Sequence, residues 1–140
     1  MFKHILIPTD GSAVARLAIE NGLSLAKAVG AKVTGLSVIL PSHEPHGVGT
    51  LMLGGHVVED AADEFLKEFI GIAKAVGVQF DSYTIKAESV HEAVINAIEM
   101  LSCDLICMGS HGRSYLGKIL HGSELTSILS ECKTPVLVYR

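Results

Sequence analysis

Along the chain the apolar positions switch repeatedly between two periods, one near 2 and one near 3.6, and each switch marks a predicted element. "FKHILIP" is a β-rich run ended by Pro8. From Ser12 to Val29, Ala15, Ala18, Leu25 and Ala26 stand at helical spacings, and Gly30 is a natural stop. "KVTGLSVIL" predicts a second strand. Residues 41–55, "PSHEPHGVGTLMLGG", hold two prolines and four glycines and read as a long irregular loop. His56 to Val76 then predicts a helix with Val57, Ala61, Phe65, Phe69, Ile72 and Ala73 on one side and Gly77 after it. "VQFDSYTIK" alternates apolar and polar residues, as a half-exposed strand does. Ser89 and Glu92 match a capping box that opens the helix "VHEAVINAIEML". "DLICM" is short and wholly apolar, as in the buried centre of a parallel sheet. "SELTSILSEC" predicts a short helix, and "PVLVY" a fifth strand.

Five strands separated by helices favour an α/β fold with an open parallel sheet and right-handed crossovers. Residues 1–140 contain no internal repeat, low-complexity tract or linker, and are read as a single domain. In such sheets ligands bind beyond the carboxyl ends of strands where the strand order reverses. Two candidate loops leave carboxyl ends: "PTDGS" after the first strand and "GSHGRS" after the fourth. If those strands are neighbours, the loops face each other across one crevice.

Composition narrows the partners. With 49% hydrophobic residues the chain has the makings of a packed globule. A formal charge of −4 gives no basic footprint for nucleic acid. No apolar run approaches the roughly 20 residues of a membrane-spanning helix. The start enters a strand directly, without signal-peptide architecture, and a cytoplasmic location is expected. Cys103, Cys107 and Cys132 are an odd number without disulfide-framework spacing, which fits a reducing compartment. Cys103 and Cys107 straddle an apolar strand and are expected to be buried core thiols, not a metal or redox pair.

The densest chemistry lies in "MGSHGRSYLGKILHGS", Met108 to Ser123. A glycine-rich turn can aim several backbone N–H groups at one anion. Gly122-Ser123 opens the last helix, where free amides and the helix dipole also favour phosphate. Arg113 and Lys118 add positive charge. Gly112 to Lys118 comes close to the phosphate loop of nucleotide hydrolases, but Ile119 stands where that motif needs Ser or Thr to hold Mg²⁺.

Gly109-Ser-His-Gly112, nine residues, then Gly122-Ser123 resembles the nucleotide-binding pattern of the universal stress protein family. "ILIPTDGS" and "TPVLVYR" look like that family's first and last strands, so the likeness runs over essentially the whole chain. The resemblance implies a Rossmann-like sheet of order 3-2-1-4-5 with helices on both faces, and the ATP-binding branch of the family. It places Pro8, Thr9 and Asp10 on the adenosine side and gives adenine the backbone of Val38. Met108 and Gly109 would lie under the ribose, and Ser110, His111, Gly112, Arg113, Ser114 and Tyr115 would wrap the phosphates. Ser123, after Gly122, with the amides of Glu124 and Leu125, would complete the cradle. Glu124 departs from the family, which often has a small apolar residue there. Its carboxylate would repel phosphates unless it points outward or shares a Mg²⁺ ion.

Residues and resemblance together point to an ATP-binding regulatory module, with ADP or AMP as alternatives and Mg²⁺ as companion. The rivals are a slow ATPase or nucleotide-transferring enzyme on the same scaffold, and a structural dimer with an idle site. Asp10 suits Mg²⁺ or a ribose hydroxyl, and equally a turn capped through its own backbone. No residue stands out as catalytic. His43, Glu44, His46 and His56 cluster in or beside the 41–55 loop, which is expected to be solvated and the least ordered part of the free protein. Met52 and Leu53 are apolar enough for it to act as a lid. A homodimer is expected through the last strand, Pro135–Tyr139, which is short, apolar and at the end of the sheet. The family likeness implies the same pairing. The client protein is not legible.

Overall fold

A computed structural model describes residues 1–40, 50–53, 56–59, 64–110 and 122–140 of the protein. The elements run β1 (His4–Pro8), α1 (Ala13–Val29), β2 (Lys32–Ile39), β3 (Thr50–Leu53), β4 (His56–Glu59), α2 (Glu64–Val76), β5 (Phe80–Lys86), α3 (Val90–Leu101), β6 (Leu105–Gly109), α4 (Gly122–Glu131) and β7 (Val136–Tyr139). They form one sheet of order β3-β4-β5-β2-β1-β6-β7. The five strands β5-β2-β1-β6-β7 are all parallel, the 3-2-1-4-5 arrangement expected.

The sheet also carries a feature the periodicity does not reveal. β3 and β4 pair antiparallel, Leu53 against His56, and β4 pairs antiparallel with β5. Part of the segment read as an irregular loop is therefore strand, Met52 and Leu53 included, and the helix read from His56 starts at Glu64 instead. Two apolar runs separated by Gly54-Gly55 are a hairpin signal. The helical spacing of Val57 and Ala61 hides it. Docking the hairpin on β5 supplies backbone partners to a strand that would otherwise be an edge. Residues 41–49, with His43, Glu44 and His46, lie outside the described residues.

Local signals set the helix ends. Ser12 caps α1, its Oγ accepting the Ala15 amide at 3.1 Å, and Gly30 closes the helix at φ +72°. Ser89 caps α3 by accepting from the Glu92 amide at 3.3 Å, the hydroxyl half of the expected capping box. The sheet is buried on both sides. Ile5, Ile7, Val33 and Cys107 pack with Ile19, Leu23, Phe69 and Ala73 of α1 and α2. Leu6, Leu36, Ile106 and Met108 pack with Val94, Ala97 and Ile128 of α3 and α4. Cys103 belongs to this second cluster and Cys107 to the first, so the two thiols serve opposite faces as core residues. Burial pushes them up, to about 12 and about 11 respectively. Gly35 of β2 lets α2 come close: a Cβ there would stand 2.6 Å from the ring of Phe69. Among the described residues no helix is long and apolar enough to cross a membrane.

Candidate functional site

β1 and β6 are parallel neighbours, Ile5 beside Leu105 and Leu6 beside Ile106. After β1 the chain enters α1 on one face of the sheet, whereas α4, after β6, packs on the other. The helices that follow the two strands therefore lie on opposite faces, which makes the carboxyl edge between β1 and β6 a switch point of the kind where open α/β sheets bind ligands.

The residues after β1 form a tight, self-bonded turn. The Thr9 amide donates to the Leu36 carbonyl at 2.8 Å, extending the β1–β2 ladder by one bond. The Gly11 amide donates to Thr9 Oγ1 at 3.3 Å, and the Ser12 amide to Asp10 Oδ1 at 3.0 Å. Gly11 stands at φ +75°, a conformation that costs a residue with a Cβ. Asp10 is only 4% exposed, yet its Oδ2 has no hydrogen-bond partner among the described residues. A buried carboxylate oxygen without a donor is costly, and a cation, a hydroxyl or water would relieve it. Of the two roles read for Asp10, the turn cap is present through Oδ1, which accepts from the Ser12 amide.

At Val38 it is the backbone that faces the carboxyl end of β1. Leu36 turns its carbonyl towards β1, so Val38, two residues on, turns its N–H and C=O to the same side. β1 has ended by then, since its last paired residue is Pro8, opposite Leu36. The Val38 side chain packs into the core with Leu6 and Met108.

β6 contributes Met108, fully buried, and Gly109. A Cβ on Gly109 would overlap Val14 Cγ1 and stand 2.9 Å from the Val14 carbonyl carbon. The glycine therefore admits the first turn of α1 against β6, a packing demand that sequence reasoning missed. The Ser110 amide donates to the Tyr139 carbonyl at 2.8 Å, carrying the β6–β7 ladder past the strand end. Burial, with a contribution from Cys107, raises the Tyr139 phenol above its ordinary value.

α4 starts at the same edge. The first amides of a helix lack intrahelical acceptors, which in α4 covers those up to Glu124, while the Leu125 amide is the first in position to donate within the helix. The Glu124 carboxylate is engaged elsewhere: its Oε2 accepts from the His91 amide at 2.6 Å and lies 2.8 Å from His91 Nδ1. It is thereby directed at the start of α3. His91 escapes sequence reasoning, because nothing in a separation of 33 residues marks the pair.

Pro8, Thr9, Asp10, Val38, Met108, Gly109 and Ser110 thus lie at or just beyond the carboxyl ends of β1, β2 and β6, and Gly122, Ser123, Glu124 and Leu125 form the start of α4. His111, Gly112, Arg113, Ser114 and Tyr115 lie outside the described residues, as does Lys118. Among the described residues no group of three or more His, Cys, Asp or Glu side chains converges as a metal site would require. One carboxylate oxygen and a set of amides suit a polar organic anion, with any Mg²⁺ sharing its coordination with that ligand.

Comparison with known proteins adds to this geometry. The sequence profile of the Universal stress protein family matches residues 1–140. A universal stress protein of Methanocaldococcus jannaschii is 29% identical over 147 residues, covering 100% of this chain and 83% of the relative. Among solved structures, a universal stress protein in complex with cAMP superposes with a TM-score of 0.71 at 22% identity, covering 98% of this chain and 95% of the other. The Archaeoglobus fulgidus universal stress protein in complex with dAMP gives 0.70 at 12% identity, covering 100% and 98%.

Proposed function

The chain belongs to the universal stress protein family, and from that premise we propose that it binds an adenine nucleotide, ATP above all, between the segments that leave β1 and β6. The observation that carries this reading is Asp10 Oδ2, buried at the carboxyl edge and without a partner among the described residues. A ribose hydroxyl, or a Mg²⁺ ion held jointly with phosphate, would satisfy it. Val38 offers a donor and an acceptor for the edge of a base, and the first amides of α4 complement phosphate. Solved relatives with cAMP and dAMP support the adenine preference. The protein would act as a cytoplasmic stress-response module, its nucleotide state selecting a conformation or a partner. It would work as a homodimer: β7 is the outermost strand of the sheet on its side, and Leu137 on it and Leu129 on α4 are exposed at 37% and 55%.

Calorimetry with ATP, ADP, AMP and cAMP, with and without Mg²⁺, tests the binding. Asp10→Asn retains an oxygen for the Ser12 amide and removes only the charge and the free acceptor. It is expected to weaken ATP binding by roughly tenfold to a hundredfold, as for loss of a hydrogen bond to a charged group. Unchanged affinity in that variant, or no binding by the parent, refutes the reading. Product analysis in the same samples separates binding from slow hydrolysis.

A further inference from the structure

The His91–Glu124 pair joins two helices that share no loop. Glu124 is in the first turn of α4 and His91 in the first turn of α3, and both helices start at the carboxyl edge. One oxygen, Glu124 Oε2, meets both the amide and the Nδ1 of His91. An ionised carboxylate only accepts, so Nδ1 carries the proton in this contact. Nε2 stands 3.5 Å from Ser89 Oγ, the cap of α3. Both side chains are largely shielded, at 29% and 20% exposure. The carboxylate therefore occupies the anion-favouring start of α3, while its own residue belongs to the start of α4.

This placement bears directly on the nucleotide. A carboxylate in the first turn of a helix can also fold back on that helix's own free amides, and there it competes with phosphate for the same donors. Held by His91, it cannot. We propose that His91 is a positioning residue for the nucleotide phosphates: it anchors Glu124 to α3, keeps that negative charge off the first amides of α4, and fixes where α4 begins. The proposal rests on the nucleotide reading above and adds a specificity to it. The benefit grows with the number of phosphate charges and is absent for the uncharged nucleoside.

The test is calorimetry of the whole chain with ATP, AMP and adenosine for the parent, His91→Ala, His91→Asn and the double variant His91→Ala/Glu124→Ala. In His91→Ala the backbone amide of residue 91 still holds the carboxylate, so it is loosened, not released. ATP affinity is expected to fall by roughly threefold to tenfold, the worth of one net hydrogen bond. Adenosine affinity should stay within about twofold, because an uncharged ligand has no Coulomb coupling to Glu124. His91→Asn places an amide N–H near the position of Nδ1 and should recover most of the ATP affinity. So should the double variant, which has no carboxylate to misplace. A purely structural pair would behave otherwise: ATP and adenosine would weaken together, or the double variant would bind no better than His91→Ala, and either result overturns the proposal. ATP affinity unchanged in His91→Ala overturns it too, while leaving nucleotide binding intact. A parent that binds no nucleotide removes both readings together. Hydrogen exchange on the ligand-free protein supplies an independent measure, with the first-turn amides of α3 and α4 expected to exchange faster in His91→Ala.

Discussion

Replacing Gly109 by alanine adds one methyl group where β6 meets α1. That carbon would overlap Val14 Cγ1 and stand 2.9 Å from the Val14 carbonyl carbon and 3.0 Å from its oxygen. The Cγ1 clash can be relieved by a rotamer change, but the two backbone contacts cannot. The first turn of α1 must then move by a few tenths of an ångström, and it carries with it Ala15, Ala18 and Ile19, all fully buried. Overpacking of this kind costs about 2–3 kcal/mol. For a chain of this size that is a fall of roughly 6–12 °C in Tm. Two further glycines calibrate the figure. A Cβ on Gly30 meets nothing within 4 Å, but φ is +72°, so Gly30→Ala should cost about 1 kcal/mol from backbone strain alone. Gly71, inside α2, has open space and no positive φ, so Gly71→Ala should stabilise by about 0.5–1 kcal/mol. Urea unfolding of the three variants, monitored by circular dichroism, gives the comparison. If Gly109→Ala is as stable as the parent, the close approach of α1 to β6 is refuted. Gly109 would then be there for the ligand alone.

Further outcomes can be checked at the bench. Light scattering should report a dimer at micromolar concentration, and Val138→Lys on β7 should shift it to monomer with the circular dichroism spectrum preserved. Acid should weaken the fold in two stages. His4 Nδ1–H faces the Leu101 carbonyl at 3.1 Å and Nε2 lies 2.8 Å from Thr34 Oγ1; burial, above all, lowers its folded pKa from 6.5, so its contribution is present above 6.5 and is lost as pH falls through the lowered value. Asp104 responds at lower pH: burial opposes its charge, but the amides of His4 and Lys3 outweigh this and hold it below 3.8, so its contribution is present above 3.8 and lost as pH falls further. Urea midpoints from pH 7 to 3 should show the first stage vanish in His4→Gln and the second shrink in Asp104→Asn. Iodoacetamide at neutral pH should label half-buried Cys132 well before Cys103 and Cys107, whose raised pKa values and burial leave little accessible thiolate; mass spectrometry of timed samples reads the order.

Most of the parallel sheet is legible in the sequence because its signals are local. Period-2 and all-apolar runs mark β1, β2, β5, β6 and β7, and Ser12, Gly30 and Ser89 mark helix ends at the residues where caps are found. The β3–β4 hairpin is not, because four-residue strands are too short to establish a period and its dock on β5 is a tertiary contact. The place of the candidate site is legible in outline, because "PTDGS" follows β1 and a glycine-rich run follows β6, and the two strands are parallel neighbours. What stays hidden is the direction of individual groups. Nothing in "TDGS" separates the bonded oxygen of Asp10 from the free one, nothing marks Glu124 as turned to α3, and the packing role of Gly109 depends on a helix far earlier in the chain.

The central place of β1 also bears on how the chain is made. β1 leaves the ribosome before the other strands of its sheet, yet its two flanks are filled at very different times. β2 comes soon after, whereas β6 and the Asp104 carboxylate that receives the Lys3 and His4 amides lie about a hundred residues downstream. Until that stretch arrives, Ile5, Leu6 and Ile7 have half a sheet to pair with and an open apolar edge. Contacts of such long range make closure of the sheet slow relative to its local helices. A nascent chain that ends before β6 is therefore expected to expose the apolar edge of β1, and the arrival of β6 to cover it.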